Sequence, residues 1–259
     1  MTADQPSHLT DADGRTVLSY LPTTRGGRDL ADLAEVGTEG VDAAADAALR
    51  DLSGWGLATL DDQLAAALLE RGATLRRHAH VHSRDLRTDP APSEWAAPPL
   101  RDGLRLTPWD RPLEEIAVVA LAAYPADHPD FEPRDGVADV VAQDLEPYAV
   151  DGALGPVLPA SGLVIEDDGS EGRIVALLLV NDRDGVAPDG GPWVTEVARL
   201  GGTAYAGTGR ALLQRAMAQL TADGHPALSL AVTNGNPARN LYEQLGIRHA
   251  YSAQTLLLP

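Results

Sequence analysis

Two short segments hold the residues best suited to chemistry. The first, WVTEVARLGGTAYAGTGRALL (193–213), carries Glu196 ahead of a run of glycines, and the second, LSLAVTNGNPARNLYEQLGI (228–247), carries Asn236 and Tyr242. A phenol held among apolar neighbours stays protonated and can protonate a leaving group, while a partly buried carboxylate gains the basicity to accept a proton. Tyr242 is therefore the candidate acid, and Glu196 the candidate base or ammonium ligand. Asp182 and Glu166 compete with Glu196, and the sequence does not rank the three; a plain surface carboxylate on a strand also accommodates Glu196.

The elements that must position these groups follow from the pattern. Trp193 to Leu200 has the β-branched and aromatic bias of a strand, which Gly201, Gly202, Gly207 and Gly209 interrupt. From Arg210 to Ala222 the residues Leu212, Leu213, Ala216, Met217 and Leu220 recur at helical spacing, and Gly224 follows as a stop. Glycines entering a helix leave N–H groups pointing outward at the positive end of its dipole, an arrangement suited to a pyrophosphate. Arg210 puts a cation in the first turn, where only an anion opposite makes it favourable. Leu228 to Thr233 alternates as a strand, Asn236 suits an N-cap, Pro237 the first helical position and Gly246 the C-terminal cap. That short helix sets Ala238, Leu241, Tyr242 and Leu245 on one buried side.

In this order the two segments resemble the GCN5-related N-acetyltransferase (GNAT) superfamily, over about residues 100 to 259. The resemblance implies an α/β (α+β) fold with a central mixed, mostly antiparallel sheet, and acetyl-CoA as acyl donor. It implies that Val197, Ala198 and Arg199 pair through their backbone with the pantetheine arm. The turn Ala204, Tyr205, Ala206, Gly207, Thr208 and Gly209, with Arg210, then holds the pyrophosphate, and Asn236 touches the cofactor. Backbone N–H groups around Val197 suit the developing oxyanion, and Tyr242 protonates the leaving thiolate. One departure stands out: Ala204, Tyr205 and Ala206 replace the basic and glycine residues usual in the family's turn, and Gly201-Gly202 replaces its Pro-Glu. Loss of one charged hydrogen bond weakens cofactor affinity by about 1–3 kcal/mol.

Composition bounds the rest. With 259 residues and 44% apolar content the chain can bury a core, in one large domain or one domain with a smaller companion. It has no cysteine, which removes disulfides, thiolate metal sites and a cysteine acyl intermediate. No apolar run approaches a membrane span, and MTADQPSHLTDADG lacks the parts of a signal peptide, so a cytoplasmic protein without a membrane partner is expected. The formal net charge of −18, with arginine as the only strong base, repels nucleic acid and favours cationic amines; it equally suits a solubilising surface. The family often dimerises, so a homodimer is possible.

A proline-rich stretch, TDPAPSEWAAPP (88–99), divides the chain into residues 1–90, a linker at 91–99, and residues 100–259. After it, a strand is expected at 103–107, a helix at 113–124, helical fragments through the acidic stretch 127–151, and a hairpin of 162–166 with 174–180 around DDGSEG. Sliding the chain by 174 residues lays Gly72 on Gly246, Leu68 on Tyr242 and Asp62 on Asn236, so strand, helix and strand recur. Residues 1–90 are thus read as a smaller, degenerate GNAT-like α/β subdomain. His78, His80 and His82 alternate along its last strand and share one face. Three imidazoles suit zinc, but Arg76 and Arg84 on the same face oppose a cation, so the reading assigns no metal and expects a solvated or inter-domain polar face.

The leading reading is an acyl-CoA-dependent N-acyltransferase moving acetyl directly to a primary amine, small or peptidic, in a ternary complex. A catalytically weak or inactive GNAT-like CoA-binding or interaction protein is the alternative. A nucleotide-binding protein of another fold is disfavoured, because the glycines come late and Asp223, the nearest ribose-binding acid, sits at a helix end.

Overall fold

The computed structural model describes residues 5–25, 27–167, 169 and 171–259. Residues 168 and 170 of the expected hairpin turn, and 1–4 of the start, lie outside the described residues. The chain forms two compact units: residues 1–80 with 251–259, and residues 81–250. The expected linker at 91–99 falls inside the second unit. Its prolines do not loosen it, because Trp95 stacks under the Arg84 guanidinium at 5.0 Å and the Ala91 N–H donates to Thr221 Oγ1 at 3.2 Å.

The first unit begins with β1 (Ser7–Thr10), β2 (Thr16–Arg25) and β3 (Arg28–Val36), an antiparallel meander that the sequence reading did not foresee. Helix α1 (Val41–Asp51) then leads to β4 (Gly56–Thr59), parallel to β3, and α2 (Asp62–Glu70) leads to β5 (Thr74–Asp85). Asp61 caps α2: its Oδ1 accepts the N–H groups of Gln63 at 2.8 Å and Leu64 at 3.1 Å. Alanines of α1 and Leu64, Ala65 and Leu68 of α2 close one core with Val17, Leu18 and Leu57.

The second unit contains β6 (Leu104–Thr107), α3 (Leu113–Ala123), short helical turns α4 (Val137–Val140) and α5 (Glu146–Ala149) with a π turn between them, then β7 (Gly162–Glu166) and β8 (Arg173–Arg183). It continues with β9 (Gly191–Arg199), α6 (Thr208–Ala222), β10 (Ala227–Thr233), α7 (Ala238–Gln244) and β11 (Arg248–Leu257), whose end belongs to the first unit beside β4. β6 to β9 pair antiparallel in sequence order, and β10 joins β9 in parallel. The sheets are thus mixed and mostly antiparallel, as expected.

The buried run Ile174–Val180 explains how this sheet holds helices on both faces. Alternation sets Ala176, Leu178 and Val180 on one face, and a bulge at Val175, where Val164 and Ile165 pair with Ala176 and Ile174, lets Val175 join the same core with Leu212, Leu213, Ala216 and Met217 of α6. Ile174 and Leu177 meet Ile116, Ala117, Val119 and Ala120 of α3. Each fully buried leucine contributes about 2 kcal/mol through removal from water, and together they clamp β9 from both sides. Among the described residues no helix is long and apolar enough to cross a membrane.

Of the two faces expected for the β5 histidines, the solvated one does not hold for His80 and His82. His80 and His82 are buried, not solvated: His80 Nδ1 lies 2.8 Å from Ser252 Oγ, and the His82 ring meets His249 edge-on at 5.4 Å. Arg84 on the same strand is also buried, donating to the Leu245 carbonyl at 2.7 Å.

Candidate active site

β9 presents the central feature. Its register with β8 slips between Leu179 and Val180, which face Glu196 and Val194, so Thr195 is the extra residue of a β-bulge. On its other edge β10 pairs only with Trp193 and Val194, through Ser229 and Leu230. Beyond that point the parallel strands part, while Val197, Ala198 and Arg199 keep their antiparallel partners Leu178, Leu177 and Ala176. Their backbone edge toward β10 is left for another chain of amides, which is what a pantetheine arm offers.

At the bulge stands Glu196. Its carboxylate is half-buried and accepts the Tyr124 hydroxyl hydrogen, and the Val197 N–H next to it also favours its charged form. Burial, together with the charges of Asp144 and Asp130, raises its pKa to about 7 against those two donors. Tyr242, from α7, is 5% exposed, and its hydroxyl has no hydrogen-bond partner among the described residues. Burial, and then the nearby charges of Glu196 and Asp130, push its pKa well above the ordinary value, so it remains a proton donor.

The sequence reading missed two groups here. Tyr124 ends α3, with its ring edge-on to His128 at 4.9 Å. Asp130, in the acidic stretch, bonds Thr233 Oγ1 and accepts from Asn236 Nδ2 at 2.8 Å, tying segment 125–136 to the end of β10. The Asn236 Oδ1 accepts the Ala238 N–H at 2.9 Å, the cap expected of it. The two competitors of Glu196 lie elsewhere along the strands: Glu166 bonds Arg173 and the Tyr205 hydroxyl, and Asp182 sits opposite Pro192.

The glycine turn behaves as its residues require. Gly202 and Gly207 have φ of 94° and 91°, positions that disfavour any side chain, and Gly207 starts α6 without a side-chain cap. Open space surrounds the Cα atoms of Gly207 and Gly209 where a Cβ would stand. The first-turn amides thus face an approach that an anion can use. Ala204 and Tyr205 form a 3-10 turn, Ala206 follows, and Thr208 Oγ1 fastens the turn by donating to the Tyr205 carbonyl at 2.8 Å. Side-chain charge is otherwise engaged: Arg210 bonds Gln244, and Arg199 donates to the carbonyls of Leu200 and Gly202. Arg173, unnoticed in the sequence, brings a guanidinium against Tyr205 from β8.

With this geometry the comparisons with known proteins can be read. No protein-family model matches the chain, and no curated protein matches it. Solved structures do. A GCN5-related N-acetyltransferase from Sphaerobacter thermophilus superposes with a TM-score of 0.61 at 15% identity, covering 99% of this chain and 81% of that one. The chain has the GNAT fold. A GCN5-related N-acetyltransferase from Kribbella flavida gives 0.52 at 18% identity over 99% of this chain and 90% of its own. A tandem GNAT protein from the clavulanic acid biosynthesis pathway gives 0.54 at 16%, over 95% and 80%. At such identities the GNAT fold is what is shared, and the chemistry must be argued from the residues above.

Proposed function

We propose that this chain is an acetyl-CoA-dependent N-acyltransferase that moves an acetyl group directly to a primary amine within a ternary complex. The observation that carries the reading is the pairing of a near-neutral Glu196 with a buried, protonated Tyr242 beside the unpaired edge of β9. Acetyl-CoA supplies an activated thioester. Val197, Ala198 and Arg199 offer it their backbone edge, the amides of Gly207, Thr208 and Gly209 meet its phosphates, and Asn236 adjoins it at the start of α7. Glu196 takes a proton from the acceptor ammonium so that nitrogen can bond the acetyl carbon. As the carbon–sulfur bond breaks, Tyr242 gives its proton to sulfur. Asp130 and Asp144 make the surroundings of Glu196 negative, which favours a cationic acceptor, small or peptidic. A cytoplasmic location belongs to this reading, as does a homodimer, which light scattering would test.

Residues 1–90 are inferred to be a degenerate second copy. β1, β2, β3, α1, β4 and α2 repeat the order and strand directions of β7, β8, β9, α6, β10 and α7. Gly40 at φ 90° precedes α1 as Gly207 precedes α6. The copy lacks the parting of its parallel strands: after a bulge, pairing resumes at Ala34 and Thr59, and Thr59 Oγ1 donates to the Ala34 carbonyl at 2.8 Å. That closure supports one cofactor per chain.

The second reading, a weak or inactive CoA-binding or interaction protein, is favoured by one observation. Alanines stand where basic side chains would meet the phosphates, and Arg210 and Arg199 already have partners. Calorimetric titration with acetyl-CoA, against CoA and NAD, separates the two. Micromolar one-to-one binding followed by amine-dependent thiol release supports the enzyme, and no binding at millimolar ligand supports the alternative.

A further inference from the structure

The hydrogen bond between Tyr124 and Glu196 joins groups 72 positions apart. Its direction is fixed by chemistry. Burial first, and then the neighbouring Glu196 charge, push the Tyr124 phenol well above its ordinary pKa, so the proton stays on the phenol oxygen and is donated to the carboxylate. A carboxylate has about four acceptor sites, and the Tyr124 hydroxyl uses one of them. The ring is held from both ends. Its backbone follows α3, whose Ile116, Ala117 and Ala120 pack against Leu163, Leu177 and Ala198, and its edge meets His128.

We propose that Tyr124 is a positioning residue for Glu196: its hydroxyl orients the carboxylate and keeps it in the proton-accepting form, with lone pairs left over for an acceptor ammonium. This rests on Glu196 being the base of the proposed reaction. The other groups facing Glu196 work in the opposite sense. Asp130 comes from the segment after α3, already occupied by Thr233 and Asn236, with His128 beside it. Asp144, from the turn before α5, is bonded to Arg134 at 2.7 and 2.8 Å. Tyr242 approaches from α7 as a neutral phenol whose own proton is held first by burial and then by the charges of Glu196 and Asp130. Against two carboxylates and burial, the donors that favour the charged form among the described residues are the Tyr124 hydroxyl, first, and the neighbouring Val197 amide. Removing one of two such donors must therefore be felt in the protonation of Glu196 and not merely in packing.

The test is a carbon-13 NMR titration of side-chain-labelled glutamate in the full chain, with Glu196→Gln identifying the Glu196 signal. In Tyr124→Phe, which keeps the ring, the midpoint moves up by about one to two pH units, the worth of one hydrogen bond to a charged acceptor. In Asp130→Asn the midpoint moves down, which serves as an independent check should the Phe variant fold poorly. An unmoved or lowered midpoint in folded Tyr124→Phe overturns the proposal. Kinetics separate it from the reading beneath. If an amine is acetylated, the acidic limb of the kcat/KM profile follows the NMR midpoint. A shifted midpoint in a protein that acetylates no amine would leave the Tyr124–Glu196 coupling standing and remove the acyltransferase. An unmoved midpoint in an active enzyme would do the reverse.

Discussion

Glu196→Gln should make the protein more stable, by an amount that grows from nothing near pH 4.5 to its full size just above pH 7. Burial raises this carboxyl from 4.5 to about 7 in the folded chain. Below pH 4.5 the folded and unfolded chains both hold the proton, and well above pH 7 neither does. Between these limits the folded chain holds it more often, so stability falls as pH rises through that window and remains lower above it. At 1.36 kcal/mol per pH unit the accumulated cost is about 3 kcal/mol, an upper figure because the carboxylate is only half-buried. A glutamine amide carries no charge to desolvate, and its carbonyl can still accept from Tyr124. The variant should therefore match wild type near pH 4.5 and exceed it at pH 8.5 by about 2–3 kcal/mol, which is roughly 5–10 °C in a domain of this size. Scanning calorimetry of both proteins at the two pH values reads the difference directly, and effects of all other titrating groups cancel in the comparison. Equal stabilities at pH 8.5, or a less stable variant there, would refute the argument that Glu196 is held against its preference for water. A stabilised variant that has also lost acetyl transfer would identify the strain as one kept for function.

Other residues give sharper readouts of single elements. Tyr242→Phe should lower kcat by about a hundredfold or more while leaving acetyl-CoA affinity within about twofold, because the ring keeps its packing and only the proton is lost; equal turnover would remove it from the mechanism. Arg210→Ala should weaken acetyl-CoA binding by about five- to tenfold at low salt and less at high salt, as measured by calorimetry, if the guanidinium leaves Gln244 for a phosphate. A salt-independent affinity, unchanged by the mutation, would mean that the backbone amides act alone. Leu178→Ala should cost about 2–5 kcal/mol in urea unfolding, since the side chain is fully buried between β8 and α6.

What the sequence revealed, and what it hid, divides along the range of the interactions. The glycine turn, α6, β10 and the α7 cap were legible because each depends on neighbours within a few residues: Gly207 on its own φ, α6 on its apolar stripe, Asn236 on the Ala238 amide. Tyr242 and Glu196 were legible as candidates by position, but not their state, since the pKa of Glu196 depends on Asp130, Asp144 and Tyr124, between 52 and 72 positions away. No periodicity marks Tyr124 as different from any residue closing a helix, and Asp130 stands in a segment with so many acids that its bonds to Thr233 and Asn236 leave no local trace. The early meander β1–β3 escaped for a related reason, since Asp, Glu and Arg punctuate it and its apolar face is completed only by α1 and α2. The proposed repeat rests on a pattern of glycines and leucines, yet the detail that separates the pair β3–β4 from the pair β9–β10, Thr59 bonding across to Ala34, is a tertiary contact made by an ordinary threonine. The closed pair β3–β4 and the parted pair β9–β10 thus show that similar strand order need not leave a similar opening. The opening is decided by whether pairing resumes beyond the bulge, as it does at Ala34 and Thr59 but not along β9 past Val194, and the proposed cofactor would enter at that opening.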